Sequence, residues 1–269
     1  ADEGQRPALW KLADADTTIW VFGTIHILPR DVPWYAGPVA SAFEASGELV
    51  TEIPVDQAKD SQAVILRRAM REDGRELRAT LGRKERVAYE RAMASVGLPA
   101  QVFDSNDTWF AALMLTLIPL RTAGYNLESG VDAQVGAKAQ AKGMVNTALE
   151  SAEYQITLFD TLPARTQRRY LSDVIAALPT VRKDIDAMVV AWEAGKADDL
   201  ARLMNEQEDD PALRKVLLID RNKAWADWLR ARMDRPGTVF VAVGAGHLAG
   251  RGSVQDQLAR IGVKSVRVQ

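Results

Sequence analysis

The sequence predicts an α/β fold in which two related α/β halves form one sheet and one cleft, with large helical insertions. Short β-branched and aromatic runs alternate with longer helix-forming stretches along the chain. The order strand, Gly-x-x-His, helix, strand occurs near the start at Gly23–His26 and again near the end at Gly244–His247. We therefore expect a single domain over residues 1–269, with an N-terminal half at about 8–150 and a C-terminal half at about 151–269.

The first elements are predicted to be a strand, a helix and a second strand. Thr17–His26 is dense in β-branched and aromatic residues and predicts the first strand. A helix is predicted over Trp34–Ser46, with Gly47 as its end. Glu48–Ile53 predicts the second strand, which Pro54 closes. The crossover is long enough for the two strands to be parallel.

Helical insertions follow, and short strands separate them. Trp109–Leu120 is apolar on most sides, which indicates a buried helix, and it is too short to span a membrane. The uninterrupted β-branched run Thr238–Val243 indicates a strand that is buried on both faces. Helices are also predicted at Ala58–Arg71, Arg83–Val96, Asp107–Leu120, Asp132–Lys142 and Ser253–Ile261, and strands at Met144–Leu149 and Val263–Val268.

Composition excludes several classes of site. The chain has no cysteine, so it forms no disulfide scaffold, thiolate metal site or cysteine nucleophile. Its net charge of −2 gives no electrostatic reason to expect nucleic acid as a partner, and no apolar run is long enough for a transmembrane segment. Because the sequence begins with Ala1 and lacks cysteine, we expect a periplasmic or secreted protein whose signal peptide has been removed.

The chain contains two histidines, and each follows a hydrophobic strand in a Gly-x-x-His motif. His26 and His247 are therefore expected where the carboxyl ends of parallel strands meet, which is the usual place for sites in open α/β sheets. Imidazole is both a common metal ligand and a general base. One histidine in this position is more often a structural residue bonded to the backbone, but two in the same uncommon context favour a functional site.

Two glutamates also end predicted strands. Glu52 follows the second strand and faces the same crevice as His26 if that strand neighbours the first. Glu150 ends the strand at Met144–Leu149 in the same manner. A carboxylate beside imidazoles serves as a metal ligand or as the base that activates water. The alternative for each glutamate is a solvated acid at the rim of the sheet.

An arginine and an aspartate are further candidates. Arg221 is predicted on a long helix before the last strands, where it would hold a substrate carboxylate or an oxyanion, or else form a surface ion pair. Asp132 follows Ser129 and Gly130, and we interpret it as an acid at a helix N-terminus rather than as a catalytic residue.

Taken in order, these residues resemble the TraB/GumN family. The resemblance is carried by GTIHILP at Gly23–Pro29, by Glu52, by Gly130–Ser151, by Arg221-Asn222 and by VGAGHLAG at Val243–Gly250. It covers nearly the whole chain, and the paired Gly-x-x-His motifs are specific to the family in combination with the acid. The family is related to the Tiki proteases, and its more distant relatives are the erythromycin esterases and the ChaN-like haem-binding proteins.

The resemblance implies a metal-dependent hydrolase, most closely a Tiki-like metalloprotease or peptidase, that uses manganese or cobalt, with zinc as a further option. Matched by position, the candidate metal ligands are His26, Glu52, His247 and Glu150, and the candidate catalytic residues are His26, Glu52, His247 and Arg221. The expected substrate is a peptide or a small-molecule ester.

Two alternatives stay open at this point. The related esterases imply that the same residues hydrolyse an ester without metal, with a histidine and a glutamate activating water. The ChaN-like relatives imply a binding protein for haem or another small ligand, in which His26 or His247 is the axial ligand. Neither the substrate nor the oligomeric state follows from the sequence.

Overall fold

The computed structural model describes residues 6–28, 32–58, 61–205 and 210–269. The strands β1–β6 are Leu9–Ala13, Thr17–Thr24, Glu48–Thr51, Val145–Ala148, Gly237–Gly244 and Val266–Arg267. The helices α1–α13 are Gly37–Ala45, Ser61–Arg68, Leu77–Thr80, Arg83–Ser95, Thr108–Thr122, Val131–Lys142, Ala152–Asp160, Ala164–Ala177, Val181–Glu193, Ala197–Asn205, Pro211–Arg214, Asp220–Arg232 and Val254–Arg260. Pro29 of the first motif and residues 59–60 of the predicted helix Ala58–Arg71 lie outside the described residues.

The strands form one mixed sheet in the order β4-β3-β5-β2-β1-β6. Strands β4, β3, β5 and β2 are parallel, and β1 is antiparallel to both of its neighbours. β2 and β5 pair along their whole length, from Thr17 opposite Gly237 to Thr24 opposite Gly244. The predicted α/β class is confirmed, and strands from both ends of the chain share one sheet, as expected.

The neighbours of β2 differ from the simplest reading of the sequence. β2 and β3 are parallel, but β5 lies between them, so a strand from the C-terminal part of the chain separates them. The run Val239–Gly244 of β5 is buried throughout. A strand that is apolar on both faces gains most from a central position, where helices cover the sheet on both sides.

β1 is a strand that the sequence patterns do not predict. The Asp14 carboxylate accepts hydrogen bonds from the N–H groups of Asp16 (3.1 Å) and Thr17 (2.8 Å), which closes a tight turn after the strand. This turn lets β1 pair antiparallel with β2. A strand of five residues is too short for its alternation to be recognised, so the aspartates of the turn are its clearest signal in the sequence.

Contacts divide the chain into two compact units. The first comprises residues 1–56, 125–151 and 186–269, and it contains the whole sheet. Its buried core contains side chains of the sheet and of α12 and α13, among them Ile19, Val241, Trp225, Leu229 and Leu258. The proposed relation between two halves that meet near residue 150 stays a prediction.

The second unit comprises residues 57–124 and 152–185 and is helical. Its core contains large buried side chains, among them Tyr89, Trp109, Leu115 and Leu171. The apolar stretch Trp109–Leu120 lies in α5 and contributes to this core, as expected of a buried helix. None of the helices in the described ranges has both the length and the apolar character needed to cross a membrane.

A close contact at the end of β2 requires the first motif glycine. A methyl group on Gly23 would lie 3.0 Å from both Cα and Cβ of Ala245 and 3.5 Å from Cδ1 of Leu248. Glycine therefore allows the end of β2 to pack directly against the 3₁₀ turn Ala245–Leu248, which carries His247.

We expect Gly23→Ala to lower the free energy of unfolding by about 1–3 kcal/mol, because the added methyl group overpacks this contact. The matched control is Gly47→Ala, where a methyl group would have no neighbour within 4 Å. Urea denaturation of both variants measures the difference. A loss at Gly23 no larger than that at Gly47 would show that the contact tolerates a side chain.

Candidate active site

Four parallel strands bring the candidate side chains to one edge of the sheet. Across the sheet, Glu150 follows β4, Glu52 follows β3, His247 follows β5 and His26 follows β2. The pairing of Thr51 with both Ala148 and Ala242, and of Thr24 with Gly244, sets these strand ends level with one another. The sequence prediction that these residues meet at the carboxyl ends of the strands therefore describes their placement.

His26 is held by a carboxylate. Its Nδ1 lies 2.8 Å from Oδ2 of Asp132, whose Oδ1 accepts a hydrogen bond from the Thr24 hydroxyl at 2.7 Å. The negative charge of Asp132 raises the pKa of His26 to about 9, and the hydrogen bond between His26 and Asp132 and the charge of Glu52 act in the same direction. His26 is therefore protonated at neutral pH. Its side chain is 60% exposed, so the ring is open to solvent.

His247 has the opposite character. It is buried, and its Nδ1 lies 2.6 Å from Oδ1 of Asn222, whose Nδ2 donates to the Gly252 carbonyl at 2.9 Å. Because that amide uses its nitrogen on Gly252, its oxygen accepts from Nδ1–H of His247. Burial lowers the pKa of His247 to about 3, so the ring is neutral at physiological pH. The ring also packs on Trp225, with centroids 4.4 Å apart.

Glu52 is an ionised, buried carboxylate. Its Oε1 accepts from the Gly244 N–H at 2.7 Å, and its Oε2 accepts from Nη2 of Arg221 at 3.0 Å. Burial opposes ionisation, but the neighbouring imidazoles, the guanidinium and the backbone N–H together lower the pKa of Glu52 to about 2. Its side chain is 11% exposed.

Arg221 connects the buried members of the site. Nε and Nη2 donate to Oε1 and Oε2 of Glu150, both at 2.9 Å, and Nη2 also donates to Glu52. Nη1 donates to the Leu217 carbonyl at 3.0 Å and lies 3.3 Å from Nε2 of His247. A guanidinium has five N–H groups, so protein acceptors occupy all of them. Arg221 is thus a buried ion-pair partner and not the surface residue of the alternative interpretation.

A π-helical turn places this arginine. Lys215–Ile219 forms that turn immediately before α12, and it includes Leu217, whose carbonyl accepts from Arg221. π-Helical turns interrupt the usual hydrogen-bond ladder, and they recur at functional sites. One turn further along α12, Trp225 stacks under the guanidinium at 4.9 Å and donates to Oε1 of Glu150 at 2.9 Å.

The second motif glycine borders the site directly. A methyl group on Gly244 would lie 3.1 Å from Oε1 of Glu52, 3.5 Å from Cδ2 of His247 and 3.6 Å from Nε2 of His26. Three side chains from three different strands thus border one small space. Any larger residue at position 244 would occupy that space.

Most of the candidate ligand atoms of the site already have hydrogen-bond partners within the protein. Arg221 donates hydrogen bonds to Oε2 of Glu52 and to both oxygens of Glu150. Its Nη1 also lies 3.3 Å from Nε2 of His247. His26 is protonated beside Asp132. Within the described residues, no group of three or more histidines and acids is arranged to hold a metal ion. Coordination of a divalent ion by Nε2 of His247 would therefore require Nη1 of Arg221 to move.

Two residues of the site have contacts that the sequence does not predict. Asp132 lies in the first turn of α6, as predicted for an acid at a helix N-terminus, and its carboxylate also binds His26. Asn222, the neighbour of Arg221 in the sequence, binds His247. The signal for Asp132 was its place in the family-like GVD segment, and that for Asn222 its adjacency to a candidate arginine.

The two histidines allow a direct test of these charge states by NMR titration. We expect His26 to titrate near pH 9 and His247 to remain neutral down to about pH 3. Because the pKa of His26 is above its ordinary 6.5, its contribution to stability is complete below pH 6.5 and is lost as the pH rises through 9. Asp132→Asn should bring its pKa back toward 6.5 or below.

The exposed Asp227→Asn serves as the matched control, and it should leave both titrations unchanged. Asn222→Asp should raise the pKa of His247, because a carboxylate would then face Nδ1. An unchanged His26 titration in Asp132→Asn would disprove the role given to this carboxylate.

Removing the arginine should be costly. Arg221→Met leaves Glu52 and Glu150 buried without their cation, and we expect a loss of about 3–5 kcal/mol in the free energy of unfolding. Arg230→Met removes an exposed arginine that is paired with Asp234, and it should cost less than about 1 kcal/mol. Chemical denaturation compares the two, and similar losses would contradict the central place of Arg221.

Comparison of the sequence with known proteins identifies the family of this chain. The E. coli (strain K12) uncharacterized protein YbaP is 32% identical over 184 residues, which cover 65% of this chain and 67% of that protein, and the Shigella flexneri protein of the same name gives the same figures. An uncharacterized protein of Treponema pallidum (strain Nichols) is 22% identical over 274 residues, covering 92% of this chain and 78% of that protein. No solved structure gives a significant match. The TraB/PrgY/gumN family matches residues 8–267, and the chain belongs to this family.

Proposed function

We propose that this protein is a hydrolase that cleaves a peptide or ester bond with water activated at the strand-end site. The observation that carries the proposal is that three titratable side chains in one cluster have different partners: a carboxylate at His26, a guanidinium at Glu52 and a neutral amide at His247. His26 is protonated, Glu52 is ionised and His247 is neutral at the same pH. Titratable neighbours whose pKa values are driven apart are typical of acid–base catalysis.

Glu52 and His26 are the proposed catalytic pair. Glu52 accepts a proton from water as the water oxygen attacks the carbonyl carbon, and Nε2–H of His26 donates a proton to the leaving nitrogen or oxygen. Both side chains border the space beside Gly244, so a water molecule and a carbonyl group there would reach them together. Asp132 keeps His26 protonated and orients its ring.

Arg221 and His247 are proposed as positioning residues. We expected Arg221 to contact substrate, but its N–H groups are engaged by protein acceptors. It fixes the orientation of Glu52 and favours its ionised form. His247 accepts from Arg221 and fixes the guanidinium from the other side, while Asn222 sets its tautomer.

A metal-dependent hydrolase, as the resemblance implies, is the second candidate. The observation that favours it is the convergence of Nε2 of His26, Oε1 of Glu52 and the His247 ring on the space beside Gly244. Two imidazoles and a carboxylate are ligands that manganese, cobalt and zinc accept. This candidate requires Nη1 of Arg221 to move away from Nε2 of His247, while Glu150 stays paired with the arginine. Haem binding and export from the cytoplasm remain predictions.

Hydrolysis of a peptide library and of nitrophenyl esters tests the proposal. We expect activity that persists after exhaustive chelation, and that falls by a factor of at least about 100 in Glu52→Gln and His26→Ala. Because the reaction needs protonated His26 and ionised Glu52, the rate should be constant between these pKa values and should fall above pH 9. Arg230→Gln, an exposed substitution far along α12, is the activity control.

The alternatives give different results in the same assay. Activity that chelation abolishes and that manganese or cobalt restores would replace the metal-free mechanism with the metal-dependent one. Equal activity in wild type, His26→Ala and Glu52→Gln would disprove hydrolysis at this site. A Soret band on haem titration that His26→Ala removes would then favour the ligand-binding alternative.

A further inference from the structure

The first unit contains a second cavity that the proposed reaction does not use. Its volume is about 420 Å³, within the range of small-molecule sites. We call it the arginine cavity, and its lining residues are Arg214, Ile219, Arg251, Gly252, Gln257 and Arg260. No acidic residue is among these lining residues.

Within the described residues the three arginines form no ion pair, although the Asp256 carboxylate accepts from the N–H of the lining residue Gly252 at 2.7 Å. Among the ion pairs formed by the described residues, none involves Arg214, Arg251 or Arg260. The guanidinium of Arg214 donates to the Arg251 carbonyl at 2.7 Å, which holds it at the cavity. All three guanidinium groups line one cavity, so each of them would attract an anion that entered it.

The rest of the lining is a formed surface and not a chance gap between side chains. Gln257 lines the cavity with an amide side chain on a residue that is only 6% exposed. At Gly252 the backbone has φ +83°, and a methyl group there would lie 2.4 Å from Cδ1 of Ile219. Glycine at this position therefore lets the loop pack against the π-helical turn. This packing fixes the backbone of the loop that contains Arg251.

We propose that the arginine cavity binds the phosphate group of a small molecule or of a lipid headgroup. Planar guanidinium groups donate paired hydrogen bonds to phosphate oxygens, and three cations match a dianion better than a monoanionic carboxylate. Gln257, a buried residue of the lining, adds an amide side chain to these cations. This binding is independent of hydrolysis at His26 and Glu52.

Isothermal titration calorimetry of the full chain at fixed ionic strength, with inorganic phosphate and glycerol 3-phosphate as probes, tests the proposal. We expect saturable binding of one phosphate group, weakened about tenfold by Arg251→Gln and again by Arg260→Gln. Arg230→Gln is the matched control, because it removes the same charge from an exposed helix position outside the cavity. Circular dichroism confirms that each variant is folded.

Cosedimentation with phosphatidylglycerol or phosphatidylcholine vesicles distinguishes the two sources. Arginine-dependent binding to the free probes identifies a small molecule, and arginine-dependent binding to phosphatidylglycerol vesicles alone identifies a headgroup. Equal binding in wild type and in Arg251→Gln, or no binding to any probe, overturns the proposal. The acidic Glu206, Glu208 and Asp209 lie outside the described residues. Binding that appears only when these three residues are changed to Gln, Gln and Asn would mean that the arginines bind acidic side chains of their own chain. That result also overturns the proposal.

Discussion

The buried guanidinium of Arg221 is the interaction on which the rest of the site depends. It joins Glu150, Glu52 and His247, which come from three adjacent strands, and it reaches them from a helix that covers the sheet. Two carboxylates at the ends of neighbouring strands would repel each other and resist burial without this cation. Because all five donors are satisfied, the guanidinium is fixed in position. The side chains that it binds are then held in single orientations.

The two motif glycines serve the same cluster for different reasons. Gly23 allows the end of β2 to touch the turn that carries His247, whereas Gly244 leaves a space that Glu52 and His26 border. The Gly-x-x-His motif is therefore a packing requirement as well as a way of placing imidazole. The spacing puts the glycine in the strand, where it allows a close backbone contact. It puts the histidine beyond the carboxyl end of the strand, at the edge of the sheet where sites usually lie.

Those parts of the site that follow from local sequence could be predicted, and those that follow from distant pairing could not. A strand followed by His26, Glu52, Glu150 or His247 is a local pattern, and the carboxyl-end rule for parallel strands then brings these residues together. Asp132 meets a residue 106 positions away, and Asn222 meets one 25 positions away. No period or spacing encodes those partners. The insertion of β5 between β2 and β3 belongs to the same class, because it depends on which strand is the most apolar on both faces.

Burial and the partner at Nδ1 together explain why two similar motifs give opposite histidines. At His26 the partner is the carboxylate of Asp132, which stabilises the imidazolium, and the ring is exposed enough for water to solvate its charge. At His247 it is the neutral amide of Asn222, in a buried position beside a guanidinium, where a second positive charge would be repelled. A carboxylate beside an exposed ring and an amide beside a buried ring thus give one repeated motif a protonated histidine and a neutral one. The same cluster therefore holds one charged and one neutral imidazole beside the ionised Glu52.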